Sequence, residues 1–466
     1  MLAAGQDPKK QGGRSTRPAW QLDKAPAKNV VVIFLSGGLS QHDLFDEKPI
    51  LNERRGEQLP PSIRQGGRVS GLTQRQGQLP VVGSKFEFED YGKCGMRMSE
   101  LVPHLGEVAD ELTLIRSIQS DHVLHEAANT IFFTGTQLLG RPSFGAWISH
   151  ALGTGKSNLP EFVVLLSNPN PATPLHPRLW HNGFLEGRHQ GVQFRSGKDP
   201  VLFVKNPPGV TDKVRKRQLE ALKELGQMEA ERTGDPDAIA RLASFETAAR
   251  MQTSVPELAD LSDEPDELLE DYGAIRGESS FANNCLLARR LLERGTRFVQ
   301  LCDAGWDHHF SIPRVLPRKC EQVDKPAAAL IRDLKQRGML DETLVVWGGE
   351  FGRTAYCQGG LTRANYGRDH HPRCFTVWMA GGGVKPGITY GQTDDFGYNI
   401  ADADGNTLRP QPNKDRWTPG TMHIHDLNAT ILHLLGIDHR KLTYRYQGRD
   451  FRLTDVHGHV MHDLLV

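Results

Sequence analysis

Cysteine is sparse in this chain and scattered. Its six residues (Cys94, Cys285, Cys302, Cys320, Cys357 and Cys374) form no C-x-x-C pair, which excludes a zinc ribbon and a thioredoxin-like motif and leaves buried or free thiols. Charge of one sign is not in excess either. Lys plus Arg and Asp plus Glu both number 56, so no global field favours nucleic acid, an acidic polymer or an anionic membrane, and any anion specificity must be local. No apolar stretch approaches the roughly 18 to 20 residues that span a bilayer. The opening MLAAGQDPKKQGGRSTRPAW is polar and lacks the apolar middle of a signal peptide. The expectation is a cytoplasmic protein, or one whose export signal is missing from this sequence.

What is present is the composition of a globular protein, 24% charged and 38% hydrophobic over 466 residues. The sequence is read as a flexible leader (1–28) and one α/β domain (29–466) carrying a helical insertion at about 211–275, where Glu, Lys, Arg and Ala are dense and apolar residues fall at helical spacing. NVVVIFL from Asn29 is a continuous β-branched run that feeds Ser36-Gly37-Gly38, the signature of a buried parallel strand and a glycine loop. Residues 52–97 lack periodicity and read as a surface excursion. SELVPHLGEVADEL reads as helix, LTLIRSI as strand, HEAANTIFFTG as a helix closed by Gly135, and PEFVVLL as strand. From residue 283 onward helix and strand alternate: NNCLLARRLLERG, TRFVQLCD, VDKPAAALIRDLKQRGML, TLVVWGG, CFTVWMAGGG and the closing helix DLNATILHLLGID. This rhythm predicts a parallel sheet with helices on both faces, in which ligands bind beyond the carboxyl ends of the strands.

Those strand ends are dense in ligand-type side chains. TRFVQLC runs into Asp307-His308-His309, TLVVWGG into Glu350 and Arg353, and Arg368-Asp369-His370-His371 lies just before the next strand. Two Asp-His-His clusters at one sheet edge supply imidazole and carboxylate to a borderline divalent ion such as Zn²⁺ or Mn²⁺, with Ca²⁺ the harder alternative. Arg353 and Arg368 are candidates for holding a phosphate or sulfate in bidentate fashion, or for pairing with Glu350 and Asp369 instead. Ser36, Asp43 and Asp46 follow the first strand, and His122 and His125 precede the helix after LTLIRSI, so these groups face the same edge.

The phrases FLSGGLSQHDLFDEKP, GRPSFGAWISHALG, GWDHH, TLVVWGGEFGRT, GRDHHP, MAGGGVKPG and TDDFGY, together with the carboxyl-terminal HDLNATILHLLGIDHRKLTYRYQGRDFRLTDVHG, resemble the domain of unknown function 1501 family over nearly the whole chain from Asn29. The resemblance implies an alkaline-phosphatase-like three-layer sandwich of the phosphatase/sulfatase superfamily, a divalent metal ion, a small-molecule or carbohydrate phosphate or sulfate ester as substrate, and export to the periplasm. Carried onto this sequence, Asp307, His308 or His309, and His370 or His371 match one metal site of that superfamily. Its second site half fails. Ser36, His125 and Glu350-Phe351 stand at its places, and Phe351 cannot ligate, unless Asp43, Asp46, His122 and Glu350 rebuild it.

With the nucleophile position altered, the resemblance implies a water activated by the ion as attacker. Asp307, His309 and His371 would hold the ion, His125 or Glu350 would serve as general base, and Arg353 or Arg368 would stabilise negative charge. Ser117, Ser120 and Thr130 are reserve nucleophiles. Two readings follow: a metal-dependent hydrolase of phosphate or sulfate esters, and a non-catalytic metal- or ligand-binding protein on the same scaffold.

Overall fold

The computed structural model describes residues 18–65, 70–71, 73–153, 158–168, 175–197, 200–201, 209–234, 251, 254–408 and 419–466. Residues 1–17 of the expected leader, and 235–250 and 252–253 of the expected insertion, lie outside the described residues. The strands that build or flank the site are β1 (Asn29–Ser36), β2 (Leu112–Gln119), β3 (Phe162–Ser167), β4 (Val192–Phe194), β5 (Phe298–Ala304), β6 (Thr343–Gly348), β7 (Gly352–Cys357), β8 (Arg368–His371), β9 (Phe375–Ala380), β10 (Ile388–Tyr390) and β11 (Met422–His423). Nine of them form the main sheet, in the order β10-β2-β9-β6-β1-β5-β3-β4 with β11 also beside β2. β7 and β8 pair with each other as a hairpin apart from the main sheet.

A strand covered on both faces must be apolar at every position, because successive side chains point to opposite sides. β1 shows this directly. Val31, Ile33 and Leu35 enter one apolar cluster and Val30, Val32 and Phe34 the other. The helices longer than two turns among the described residues are α1 (His125–Thr134), α2 (Phe144–Leu152), α3 (Asp212–Thr233), α4 (Phe281–Glu293), α5 (Ile312–Gln336) and α6 (Ile424–Leu434). α4 and α5 cover the first face through Cys285, Leu286, Leu316 and Leu330. α1, α2 and α6 cover the second through Ile131, Trp147, Leu427 and Ile431. The result is a mixed, mostly parallel α/β sandwich of three layers. No helix among the described residues is long and apolar enough to cross a membrane.

Three expectations change. β9 runs antiparallel to both β2 and β6, because a hairpin rather than a helix precedes it and nothing carries the chain back across the sheet before it pairs. SELVPHLGEVADEL forms only a short helix, Pro103–Glu107, and a 3₁₀ turn, Ala109–Glu111. Pro103 suits only a helix start, and Gly106 weakens its continuation. The stretch 52–97 is also not merely superficial. Leu79, Val81, Val82, Met96 and Met98 are buried, and Val82 N–H bonds to the Ala355 carbonyl at 3.0 Å, so this excursion packs along β7.

Two buried histidines make the fold acid-sensitive. Burial lowers His189 to about 3 and His439 to about 4, and positive charge from His150 and Arg188 in the first case and from Arg452 in the second adds to the lowering. His189 Nδ1 is bonded to Ser149 at 2.9 Å and its Nε2 accepts from Arg188 at 3.3 Å, a pairing for a neutral ring. Both folded-state values are depressed, so the unfolded chain takes up protons that the folded chain refuses. The stability these residues contribute is present above pH 6.5 and lost as pH falls below it. Each should cost about 2 kcal/mol between pH 7 and pH 5. Denaturant unfolding of the native chain and a His189→Gln/His439→Gln variant at both pH values checks this; the native chain should lose about 4 kcal/mol more than the variant.

Candidate metal centre

β1, β5 and β6 lie side by side, with Ser36 opposite Ala304 and Phe34 opposite Gly348, so their exits share one edge. The loop after β5 delivers Asp307 and His309, the hairpin strand β8 delivers His370, and the first residue of α1 is His125. One ligand atom from each of these four residues lies within 4.8 Å of the others, and the group is partly open to solvent. Glycine permits the approach. Any side chain at Gly37 would collide with Trp306 and Asp307 backbone, and one at Gly367 would overlap the His309 carbonyl.

Each imidazole is held from behind. His125 Nδ1 donates to Glu350 Oε1 at 2.6 Å, His309 Nδ1 to Gln358 Oε1 at 2.5 Å, and His370 Nδ1 to the Val123 carbonyl at 2.6 Å. All three partners are acceptors, so each Nδ1 carries the proton and each Nε2 turns inward. The inward nitrogens surround Asp307, at 3.3 Å for His125, 2.9 Å for His309 and 3.1 Å for His370. Phe351, which cannot ligate, braces them: its ring centroid is 5.0 Å from His125 and 4.5 Å from His370.

Lone pairs aimed at a carboxylate need a cation between them. In the protein alone a proton serves. Burial works to lower the His125 pKa, but hydrogen bonds to Asp307 and Glu350 and their charges outweigh it and raise it to about 9. His370, more deeply buried and facing Arg353 and the other histidines, is lowered to about 4. Burial raises the Asp307 carboxyl, yet its three histidine bonds and the Arg353 guanidinium hold it far below the usual carboxylate range. Three imidazole nitrogens and one carboxylate oxygen, each with an outer partner, form a donor set that fits a divalent ion of the zinc type.

Several sequence candidates lie outside this cluster. Arg353 is fully buried and its N–H groups are committed to Asp307 (2.6 Å) and to the carbonyls of Gly37, Gly38, Arg368 and Trp306, so it positions Asp307 and has no face for an anion. Arg368 donates to Asp43, Val82 and Thr354 in the interior, likewise out of reach. Asp43 is paired with Arg368 at 2.8 Å and accepts from Tyr366 and Ser40, so it is a counter-charge and not a ligand. β8 alternates: His370 faces the cluster, whereas Asp369 accepts from Ser70 and Thr73 and His371 Nε2 bonds the Tyr398 carbonyl at 2.7 Å. Burial lowers His371 to about 4 and His308 to about 3, and His308 joins no ligand group among the described residues. Ser36, Ser117 and Thr130 are buried hydroxyls outside the set, Thr130 bonding the Glu126 carbonyl. Gln358 and the Val123 carbonyl were not legible, since only the folded contact shows them.

Fold and site together define an α/β sandwich with a histidine–aspartate centre of metal-ligand type at its strand ends. The chain belongs to the DUF1501 family, described as proteins of unknown function, whose model matches residues 27–465. No curated protein matches the sequence. Solved structures with similarity include a phosphonate monoester hydrolase from Silicibacter pomeroyi (12% identity, 88% of this chain and 73% of that one, TM-score 0.31). A protein in the alkaline phosphatase superfamily from Vibrio parahaemolyticus matches at 10% identity over 91% and 73%, TM-score 0.36. A sulfatase from Pseudoalteromonas sp. matches at 13% over 89% and 68%, TM-score 0.33.

Proposed function

We propose that this chain is a divalent-metal-dependent hydrolase of phosphate or sulfate esters, built on one metal site formed by His125, Asp307, His309 and His370. The observation that carries the reading is the convergence of those four ligand atoms within 4.8 Å at the strand-end crevice, each imidazole backed by its own acceptor. The nitrogen-rich set favours zinc or manganese over calcium, which takes oxygen ligands. A divalent ion held there supplies Lewis-acid stabilisation to an ester oxygen and makes water a stronger acid. The chain's own groups do the rest. Asp307, fixed by Arg353, sets the charge of the site. Glu350, fully buried and also accepting from Gly37 N–H at 2.9 Å, keeps the proton on His125 Nδ1 and so leaves the Nε2 lone pair for the ion.

Glu350→Gln should therefore weaken zinc affinity by about 10- to 100-fold, the cost of losing a histidine's outer carboxylate, with hydrolysis falling alongside. A chelator-competition titration measures it, and unchanged affinity would count against Glu350 as the support of the His125 ligand. The functional reading itself is tested with p-nitrophenyl phosphate and p-nitrophenyl sulfate on chain reconstituted with zinc or manganese: turnover of one ester, abolished by chelation and restored by the ion, is the expected result. One observation favours a second reading, a non-catalytic metal- or ligand-binding protein. Both arginines near the site have their N–H groups occupied within the protein. Stoichiometric metal without turnover of either ester would establish that reading in place of the first.

A further inference from the structure

Beside the histidine–aspartate cluster lies a separate cavity of about 310 Å³, bounded by Asp121 and His122 ahead of α1, Thr136 and Gln137 beyond its end, and Asp455 and His457. His425, at the start of α6, also lines it, and its ring lies 4.8 Å from His423 and 4.9 Å from His457. The volume excludes a lone ion as the natural occupant. A metal needs its donors roughly 2 Å from one point, whereas these surround a space of small-molecule size, and the one converging ligand group among the described residues is the neighbouring cluster.

The lining also disfavours an anion. It contains no lysine or arginine and has two carboxylates. Asp455 is paired with Arg449, and Asp121 lies 3.6 Å from the His423 ring. What remains is imidazole, hydroxyl, amide and carboxylate, groups that together both donate and accept and so match vicinal hydroxyls. One apolar side chain, Ile131, also lines the cavity. Hydroxyl-matching walls with an apolar patch suit a molecule that has hydroxyl edges and C–H faces.

The two sites share one loop. His122 lines the cavity, the Val123 carbonyl holds His370, and His125 belongs to the cluster. Three residues of chain span at most about 11 Å, within reach of a sugar ester.

We infer that this cavity binds a neutral sugar, the alcohol part of an ester whose phosphate or sulfate is presented to the histidine–aspartate cluster. Its link to catalysis rests on the hydrolase reading; the sugar binding itself does not. The probes are the methyl glycosides of glucose, galactose, mannose and fucose, titrated against the full chain with ligand-observed NMR. At least one should bind in the millimolar range. His457→Ala and Gln137→Trp, the second filling the cavity from a solvent-exposed position, should each weaken it at least about tenfold, while His309→Ala leaves it unchanged. Thermal unfolding confirms that each variant is folded. No binding of any glycoside to the native chain, or binding that survives both cavity variants, overturns the inference. Ester turnover without glycoside binding removes the sugar site and spares the hydrolase reading; glycoside binding lost in the cavity variants, without turnover, supports the sugar site and removes the hydrolase.

Discussion

Asp307→Asn should lower ester hydrolysis by at least about a thousandfold while leaving a folded chain. The substitution keeps the shape of the side chain but removes the charge on which the centre converges. Asp307 receives Arg353 at 2.6 Å and the three inward imidazoles at 2.9–3.3 Å. Without its charge the site loses its only carboxylate ligand and the buried guanidinium loses its counter-ion. Losing one preorganised electrostatic contact at a reacting centre costs 10²- to 10³-fold, and here a ligand goes as well. Breaking a buried pair by removing one partner typically costs about 3–5 kcal/mol. Arg353 keeps its carbonyl acceptors and the substituted amide retains one oxygen, so the stability loss should sit at the low end. Steady-state hydrolysis with p-nitrophenyl esters and denaturant unfolding separate the two effects. Activity within about tenfold of the native chain would remove Asp307 from the chemistry.

Asp43→Ala should do the reverse, destabilising the chain by about 3–5 kcal/mol with metal content unchanged. Asp43 and Arg368 are both fully buried, and the Asp43 carboxylate also accepts from Tyr366 at 2.6 Å and Ser40 at 2.5 Å. Burial opposes ionisation of Asp43, but the Arg368 charge and these hydrogen bonds lower its pKa overall. Truncation leaves a guanidinium in the interior with two carbonyls and no counter-charge. Denaturant unfolding and elemental analysis of one preparation give both readouts. Loss of the metal with little loss of stability would instead make Asp43 a ligand.

The sheet was legible because a strand buried on both faces has no alternative to a continuous apolar run: NVVVIFL, PEFVVLL and TLVVWGG are visible for that reason. The site was legible as a neighbourhood, since the strand rhythm places WDHH, GGEFGRT and GRDHH at one edge. What sequence spacing could not choose was the member of each histidine pair. His309 rather than His308, and His370 rather than His371, face Asp307. On β8 strand alternation decides this, but only once its register against β7 is fixed. The arginines misled for a related reason. A guanidinium beside metal ligands suits an anion equally well whether it faces solvent or the interior, and only the carbonyls around Arg353 and Arg368 show that both face inward. The excursion at 52–97 hid its core residues because Leu79, Val81 and Val82 are too few to make a period.

The most direct test of the central claim is the metal content of the reconstituted and desalted chain by elemental mass spectrometry, run on the native protein, His370→Ala and His371→Ala. One near-stoichiometric divalent ion in the native protein and in His371→Ala, lost in His370→Ala, is the expected result. No ion in the native protein, or an ion that depends on His371 and not on His370, would contradict a centre formed by His125, Asp307, His309 and His370.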